Sequence, residues 1–270
     1  MTIHSLDDPN MPQGVRDFLA RMTRPRDNTV LPPLQVPPPL PESSMRLYTM
    51  KVVLLGIEPP IWRRFVAPSW MTLEHIHVLL QIVMGWRLAH SYAYTIQGKR
   101  FTPRNKGFAV DAMWDREPSY CADDYQLSQL IESGMTIHYV YDLGDGWTHE
   151  IVVESDTPRQ GQKDCFYCVE GERACPPEDC GGPHGYADLM DILSNPGDPD
   201  HGSRREWLQS IGYAGGRFDS EKFNPDVCNR ILQVRSRPSH AKKKADKVVG
   251  KPAKKKAGTG KGGSKKRTKT

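Results

Sequence analysis

The chain of 270 residues carries a net charge of +5 and is 37 % hydrophobic, which allows one large domain or two small ones with a real core. No stretch approaches the roughly 18–20 apolar residues of a membrane-spanning helix, and the polar start "MTIHSLDDPN" lacks the apolar segment of a secretion signal. These features argue against a membrane protein and predict a cytoplasmic one, in which clustered cysteines are more often metal ligands or catalytic groups than disulfides.

Residues 1–45 are predicted to form a disordered, proline-rich arm. The stretch "LPPLQVPPPLPESS" has six prolines in fourteen positions, which favours an extended chain. Before it, "VRDFLARM" is too short to be a stable helix by itself. It is either a frayed terminus or a docking peptide.

A body over residues 46–235 follows, and its first half alternates strands and helices. "RLYTMKVVLLGI" and "IWRRFVAP" predict an antiparallel strand pair, in which the neighbours Arg63 and Arg64 point to opposite faces. "TLEHIHVLLQIVMGW" has one apolar helical face, with Thr72 as its N-cap and Gly85 as its C-cap. "HSYAYTI" and "KRFTP" predict a hairpin.

The second half of the body contains the clearest hairpin. "MTIHYVYD" and "WTHEIVVE" flank "LGDG", and Trp147, His149 and Ile151 share one face of the second strand. Three helices follow, in "GYADLMDILSN", "SRREWLQSIG" and "NPDVCNRILQ". The whole pattern predicts an α+β fold, with an antiparallel sheet of hairpins and several packed helices, flanked by disordered termini.

Residues 236–270 are predicted to form a disordered, lysine-rich tail. Positions 241–270 hold 13 Lys and Arg and one Asp, a net of +12, whereas the other residues carry 24 basic and 31 acidic groups, a net of −7. Such a tail suits nonspecific contact with nucleic acid through counterion release, or it is merely solubilising. The candidate contacts are Lys242, Lys243, Lys244, Lys254, Lys255, Lys256, Lys265, Lys266 and Arg267.

Four cysteines in "CFYCVEGERACPPEDC" predict a structural zinc site. Cys165, Cys168, Cys175 and Cys180 are spaced C-x2-C-x6-C-x4-C, and four thiolate or imidazole ligands satisfy tetrahedral zinc. Two other interpretations stay open: a metal-free loop whose cysteines pack in the core, and a redox pair at the first C-x-x-C.

Acidic residues form a second constellation. Asp142 and Asp145 lie in the hairpin turn, and Glu178 and Asp179 lie in the cysteine loop. If turn and loop meet, these carboxylates cluster and can bind Mg²⁺ for phosphodiester chemistry. Ordinary turn and loop chemistry explains the same residues without catalysis.

Several of these stretches together resemble the plasmid pRiA4b ORF-3-like family. The resemblance rests on "YTMKVVLLGIEPPIWRRF", "LEHIHVLLQIVMGWRLAHSYAY", "YDLGDGWTHEIVVE" and "CVEGERACPPEDCGGPHGYADLMDIL" and covers roughly residues 46–233. Members of that family occur on plasmids, near transposable elements and on chromosomes, with no established activity. The resemblance implies the fold of the body and an association with mobile elements.

The resemblance also ranks the possible metal ligands. It covers Cys168, Cys175 and Cys180 more securely than Cys165, so a histidine is needed as the fourth ligand. His149, in the "W-x-H" part of the hairpin, is the first choice. His184 and Cys165 are the alternates. His77 and His90 also match family positions, and a hydrogen-bonded structural role is expected for both.

The sequence therefore predicts a non-catalytic binding or accessory module, zinc-stabilised and held on nucleic acid by its tail. Two alternatives remain. One is a metal-dependent enzyme acting on nucleic acid with the four carboxylates, and the other is a protein–protein adaptor that recruits through its N-terminal arm.

Overall fold

The computed structural model describes residues 31–104, 118–160 and 166–236. These residues form eight strands, β1 (Arg46–Leu54), β2 (Ile61–Pro68), β3 (Tyr92–Ile96), β4 (Lys99–Thr102), β5 (Tyr120–Cys121), β6 (Thr136–Tyr141), β7 (Trp147–Pro158) and β8 (Tyr167–Glu172). They also form five α-helices, α1 (Leu73–Met84), α2 (Leu127–Leu130), α3 (Gly182–Ser194), α4 (His201–Ser210) and α5 (Pro225–Ser236).

All eight strands belong to one sheet with the order β5-β4-β3-β6-β7-β1-β2-β8. Neighbouring strands are antiparallel except for β4 and β5, which run parallel. The predicted α+β class and the hairpins β1–β2, β3–β4 and β6–β7 are confirmed. The sequence did not reveal that β3 pairs with β6 or that β8 extends the sheet beside β2.

Helix α1 begins and ends where its sequence predicts. The Thr72 hydroxyl accepts a hydrogen bond from the amide of His75, and the His75 ring accepts one from the amide of Thr72. This capping box satisfies both backbone amides at the start of the helix. Gly85 has φ +95°, and its N–H bonds to the carbonyl of Gln81. The apolar face of α1 is buried in the core that the sheet shares with the helices.

Part of the predicted disordered arm has a defined path against the body. Residues 31–41 are extended, and a short 3-10 turn occupies Glu42–Ser44. The amide of Leu34 donates to the Tyr125 hydroxyl at 3.3 Å, and the Gln129 side chain donates to the carbonyl of Pro37 at 2.8 Å. For residues 31–45 the structure therefore replaces the predicted disorder with docking beside α2. Residues 1–30 lie outside the described residues, as does the tail beyond residue 236.

Arg63, the second residue after Ile61 on β2, is 1 % exposed and lies inside the body. Its guanidinium donates to four backbone carbonyls at 2.7–2.8 Å: those of Val83, Trp62, Glu172 and Arg173. It also stacks 3.7 Å from the centre of the Phe223 ring. One buried side chain thus joins the last turn of α1, strand β2, strand β8 and the segment before α5.

Arg64, the next residue, points to the opposite face as the strand alternation requires. It forms ion pairs with Glu170 on the neighbouring strand β8 and with Glu154 on β7, which lies beyond β1. Neither arginine contacts the carboxylates of the hairpin turn. The strand pattern shows which face each arginine takes, but it does not show which groups lie opposite that face.

Within the described ranges, no helix has the length and apolar character needed to cross a membrane.

Candidate carboxylate–histidine site

The turn between β6 and β7 is organised by Asp142. Its Oδ1 accepts hydrogen bonds from the amides of Gly144 at 2.9 Å and Asp145 at 3.2 Å. The backbone of Asp142 is left-handed, with φ +53°, a conformation that aspartate tolerates better than most residues. This local turn uses one carboxylate oxygen and leaves Oδ2 directed at groups outside the turn.

The cysteine loop folds back onto this turn. The amide of Gly181 donates to Asp145 Oδ2 at 3.1 Å. A Cβ at Gly182 would lie only 2.4 Å from the carbonyl oxygen of Asp145, so the two backbones approach too closely for any larger residue. The condition set by the sequence, that turn and loop must meet for their carboxylates to cluster, is satisfied by this contact.

His90 lies where turn and loop meet. Strands β3 and β6 are paired with Tyr92 opposite Tyr141, which places the residues just before β3 beside those just after β6. The amide of Asp142 donates to the carbonyl of Ser91 at 2.9 Å, which ties the two strand ends together. The sheet therefore brings a histidine to the acidic turn from a strand that is not its sequence neighbour.

Three carboxylates surround the His90 ring. Its Nε2 lies 2.9 Å from Asp179 Oδ1, 3.5 Å from Asp142 Oδ2 and 3.7 Å from Glu178 Oε2. The Nε2 atom is shielded from solvent, yet none of these contacts has the geometry of a hydrogen bond. We call His90, Asp142, Glu178 and Asp179 the carboxylate–histidine site.

Neighbouring groups hold Glu178 in place. The Tyr141 hydroxyl donates to its two oxygens at 3.0 and 3.2 Å, and the amide of Arg87 donates to Oε1 at 2.7 Å. Burial, with the nearby Glu178 carboxylate, raises the pKa of Tyr141, so its hydroxyl remains a donor at neutral pH. Asp179 differs from the other two acids because its side chain is 66 % exposed, which leaves one side of the site open to water.

The site has the composition of a cation site. Ligand atoms of His90, Asp142 and Asp179 lie within 4.8 Å of one another, and this is the one such group of three or more His, Cys, Asp or Glu found among the described residues. Over the same part of the chain, no lysine or arginine side chain forms an ion pair with these carboxylates. Gathering like charges without a counterion is costly, and a bound cation removes that cost.

The predicted zinc ligands do not gather in this way. No three of Cys168, Cys175, Cys180 and His149 bring ligand atoms within 4.8 Å of one another. The alternates add nothing here, because Cys165 lies outside the described residues and His184 is exposed at the start of α3. Zinc binding by the cysteine loop stays a prediction that the geometry does not support.

The cysteines instead take separate positions. Cys168 on β8 and Cys228 on α5 are buried free cysteines that lie near the Arg63 guanidinium. Cys175 is also buried, and burial raises the pKa of its thiol. Burial raises the pKa of Cys180 to about 12, so this thiol too is protonated at neutral pH. Cys168 and Cys175 thus pack within the core.

His149 is fully buried in aromatic surroundings. Its Nδ1 donates to the carbonyl of Tyr139 at 3.3 Å, and its ring meets the edge of Trp86 at 5.4 Å. The other nitrogen, Nε2, has no hydrogen-bond partner in the described residues. Burial lowers the pKa of His149 to about 4, so the ring is neutral.

Comparison with known proteins now gives the body its family. The family model described as "Plasmid pRiA4b ORF-3-like protein" matches residues 46–227, more than half of the chain. The chain belongs to the plasmid pRiA4b ORF-3-like family. The resemblance inferred from the motifs is therefore confirmed.

Two similar proteins show how far the pRiA4b ORF-3-like domain extends. The uncharacterized protein y4hQ of Sinorhizobium fredii is 33 % identical over 180 residues, which cover 66 % of this chain and 89 % of that protein. A solved structure, the protein of unknown function MM3350 from Methanosarcina mazei Go1, is 26 % identical with a TM-score of 0.58. That match covers 68 % of this chain and 97 % of the other.

Of the four acids that the sequence grouped in the pRiA4b ORF-3-like domain, Asp142, Glu178 and Asp179 meet around His90, whereas the Asp145 carboxylate accepts a hydrogen bond from the amide of Gly181. The histidine among them was missed. His90 was expected to be structural, although "RLAHSYAY" was among the stretches that carried the resemblance. The position of His90 immediately before a strand was the one signal in the sequence for its place beside the acidic turn. That signal can be interpreted only when the pairing of this strand with β6 is known.

Proposed function

We propose that this protein is a binding module that holds a divalent cation at the carboxylate–histidine site and contacts nucleic acid through its lysine-rich tail. The observation that carries the proposal is the convergence of His90 with Asp142, Glu178 and Asp179, which come from three separate stretches of the chain. The proposal rests on the chemistry of this site.

The donor set favours particular ions. Carboxylate oxygens suit Mg²⁺, Ca²⁺ and Mn²⁺, whereas an imidazole nitrogen suits Zn²⁺ and other transition metals. A mixed set of one imidazole and two or three carboxylates therefore fits Mn²⁺ or Zn²⁺ better than Ca²⁺. The sequence predicted zinc at the cysteines. In this proposal, zinc is instead one of the ions that bind at His90.

Replacing Asp142 with asparagine is expected to weaken Mn²⁺ and Zn²⁺ binding at least about tenfold, because one anionic ligand is lost. Asparagine keeps the Oδ1 acceptor that the amides of Gly144 and Asp145 use, so the turn should survive. Isothermal titration of the metal-stripped protein measures the change. Asp156→Asn is the control, because Asp156 pairs with Arg46 away from the site. Equal affinity in both variants would contradict the site.

Nucleic-acid contact through the tail is tested by deleting residues 241–270. The deletion removes 13 basic groups, so affinity for duplex DNA should fall at least about tenfold at moderate salt, with a flatter dependence on salt. A full-length variant with glutamine at the nine named tail positions should behave like the deletion. Fluorescence anisotropy across a salt series measures both. Unchanged binding by the two variants would remove the tail from the proposal.

Metal-dependent cleavage of nucleic acid is a second candidate. It is favoured by the exposure of Asp179, because a cation held there would keep coordination positions open for water and a phosphate. The same Asp142→Asn variant separates the candidates. A module that only binds metal shows no cleavage in either form, whereas an enzyme shows cation-dependent cleavage that the variant loses. A role beside mobile DNA and a cytoplasmic location, both predicted from the sequence, are compatible with either.

A further inference from the structure

A second concave feature lies away from the carboxylate–histidine site. A cleft of about 1060 Å³ opens between the last turn of α1, helix α4, helix α5 and the segment 213–224 that connects the last two. The buried residues Arg63 and Cys175 form part of its lining. Its lining contains an aliphatic wall and several basic residues.

One wall is aliphatic. Val227 and Ile231 are one turn apart on α5 and are 45 % and 43 % exposed, which makes them two of the most exposed large apolar residues in the described structure. Ile82 at the end of α1 and Leu193 at the end of α3 continue this surface inside the cleft. Neighbouring exposed apolar residues of this kind commonly mark an interaction site.

Several other residues that line the cleft are basic. His201 and Arg205 are one turn apart on α4, and Arg217 and Lys222 follow in the connecting segment. Asp219 is the one acid among the residues that line the cleft. Outside its tail the chain has a net charge of −7, so this concentration of positive charge runs against the character of the body. The occupant of the cleft should therefore be acidic.

We propose that the cleft binds an acidic amphipathic helix of a partner protein. A helix about 10 Å wide, with apolar residues at i, i+3, i+4 and i+7, can lay that stripe on Val227 and Ile231. Glutamates or aspartates beside the stripe can then pair with Arg205, Arg217 or Lys222 of the same cleft. A cleft lined by both exposed aliphatic and basic residues matches this pattern of side chains.

The aromatic rings of the cleft argue against a nucleic-acid strand as the occupant. Stacking of bases requires accessible ring faces. Here the Arg63 guanidinium covers Phe223 at 3.7 Å, and Tyr213 packs edge-on against Phe218 at 5.5 Å. The exposed apolar area is aliphatic instead, and aliphatic surface is better suited to the leucine-type anchors of a protein helix.

The test uses the full chain and a fluorescein-labelled helical peptide of about 18 residues, with leucine at i, i+3, i+4 and i+7 and glutamate on the flanks. A second peptide of equal charge has serine in place of each leucine, and it reports attraction to the lysine-rich tail alone. The leucine peptide should bind with a Kd on the order of micromolar, at least about tenfold tighter than the serine peptide. Ile231→Ser and Arg205→Gln should each remove most of that difference.

Matched controls lie elsewhere on the surface. Val169 on β8 is 42 % exposed and Lys99 on β4 is exposed, and neither lines the cleft, so Val169→Ser and Lys99→Gln should leave binding unchanged. Thermal unfolding checks that every variant remains folded. The proposal is overturned if the leucine and serine peptides bind equally, or if Ile231→Ser and Arg205→Gln have no effect. It is also overturned if the leucine peptide does not bind, and the binding that Ile231→Ser and Arg205→Gln weaken is that of oligothymidylate or of a peptide copying residues 11–24 of this chain.

Discussion

Replacing Arg63 with methionine is expected to lower the free energy of unfolding by about 3–5 kcal/mol, a large part of the stability of an ordinary domain. The side chain is 1 % exposed and donates to four backbone carbonyls. Methionine fills similar space and removes the desolvated charge, but it also removes all four hydrogen bonds that those carbonyls accept from Arg63. Each unsatisfied buried acceptor costs on the order of 1–3 kcal/mol.

Chemical denaturation measures the effect, and the neighbouring arginine is the control. Arg64→Met removes ion pairs to Glu154 and Glu170 that lie on the solvent side of the sheet, so it should cost less than about 1 kcal/mol. If Arg63→Met does not fold, the loss of its cooperative unfolding transition, with that of Arg64→Met preserved, gives the same answer. Equal free energies of unfolding for the two variants would show that the hydrogen bonds of Arg63 do not stabilise the fold.

The free energy of unfolding is expected to fall on acidification at pH values well above those at which carboxylates titrate. His77 and His149 are buried, and burial lowers the pKa of His77 to about 3 and that of His149 to about 4. Unfolding exposes both rings, which then take up protons below their ordinary pKa near 6.5. The unfolded state thus binds more protons, and stability falls as the pH decreases from about 6.5 toward the folded-state values.

The slope for each histidine is expected to rise from about 0.7 kcal/mol per pH unit at pH 6.5 toward about 1.4 at lower pH, so that the two together remove about 3 kcal/mol between pH 6.5 and 5. Urea unfolding at a series of pH values measures this slope. His149→Asn and His77→Asn should each reduce the slope by about half, whereas His138→Asn should not change it, because His138 is exposed on β6. A slope that neither buried substitution alters would assign the acid sensitivity to other groups.

Much of the fold could be predicted because it depends on local chemistry. Thr72 and Gly85 mark the ends of α1 through hydrogen bonds within a few residues, and the hairpin turn is built by Asp142 and the glycines that follow it. Strand alternation likewise placed Arg63 and Arg64 on opposite faces. In each case the deciding contacts join residues that are close in sequence, so the pattern of residue types contains the answer.

The directions of the cysteine side chains could not be predicted from their spacing in the sequence. The spacing of Cys168, Cys175 and Cys180 is compatible with zinc, because spacing limits how far a sulfur can reach. It does not determine the direction in which the sulfur points. Strand β8 places Cys168 in the core, where its free thiol lies near Cys228 of α5, 60 residues later, and near Arg63.

The sequence by itself determined the family, the α+β class, the ends of α1 and the set of acids that could cluster, since all of these depend on residue type and short spacing. Only the tertiary structure decided that His90 joins those acids. That outcome follows from the antiparallel pairing of β3 with β6, which brings the residue before one strand beside the residue after the other. The two strands are joined through β4 and β5, and no local signal specifies that they pair. The carboxylate–histidine site is therefore a product of sheet topology.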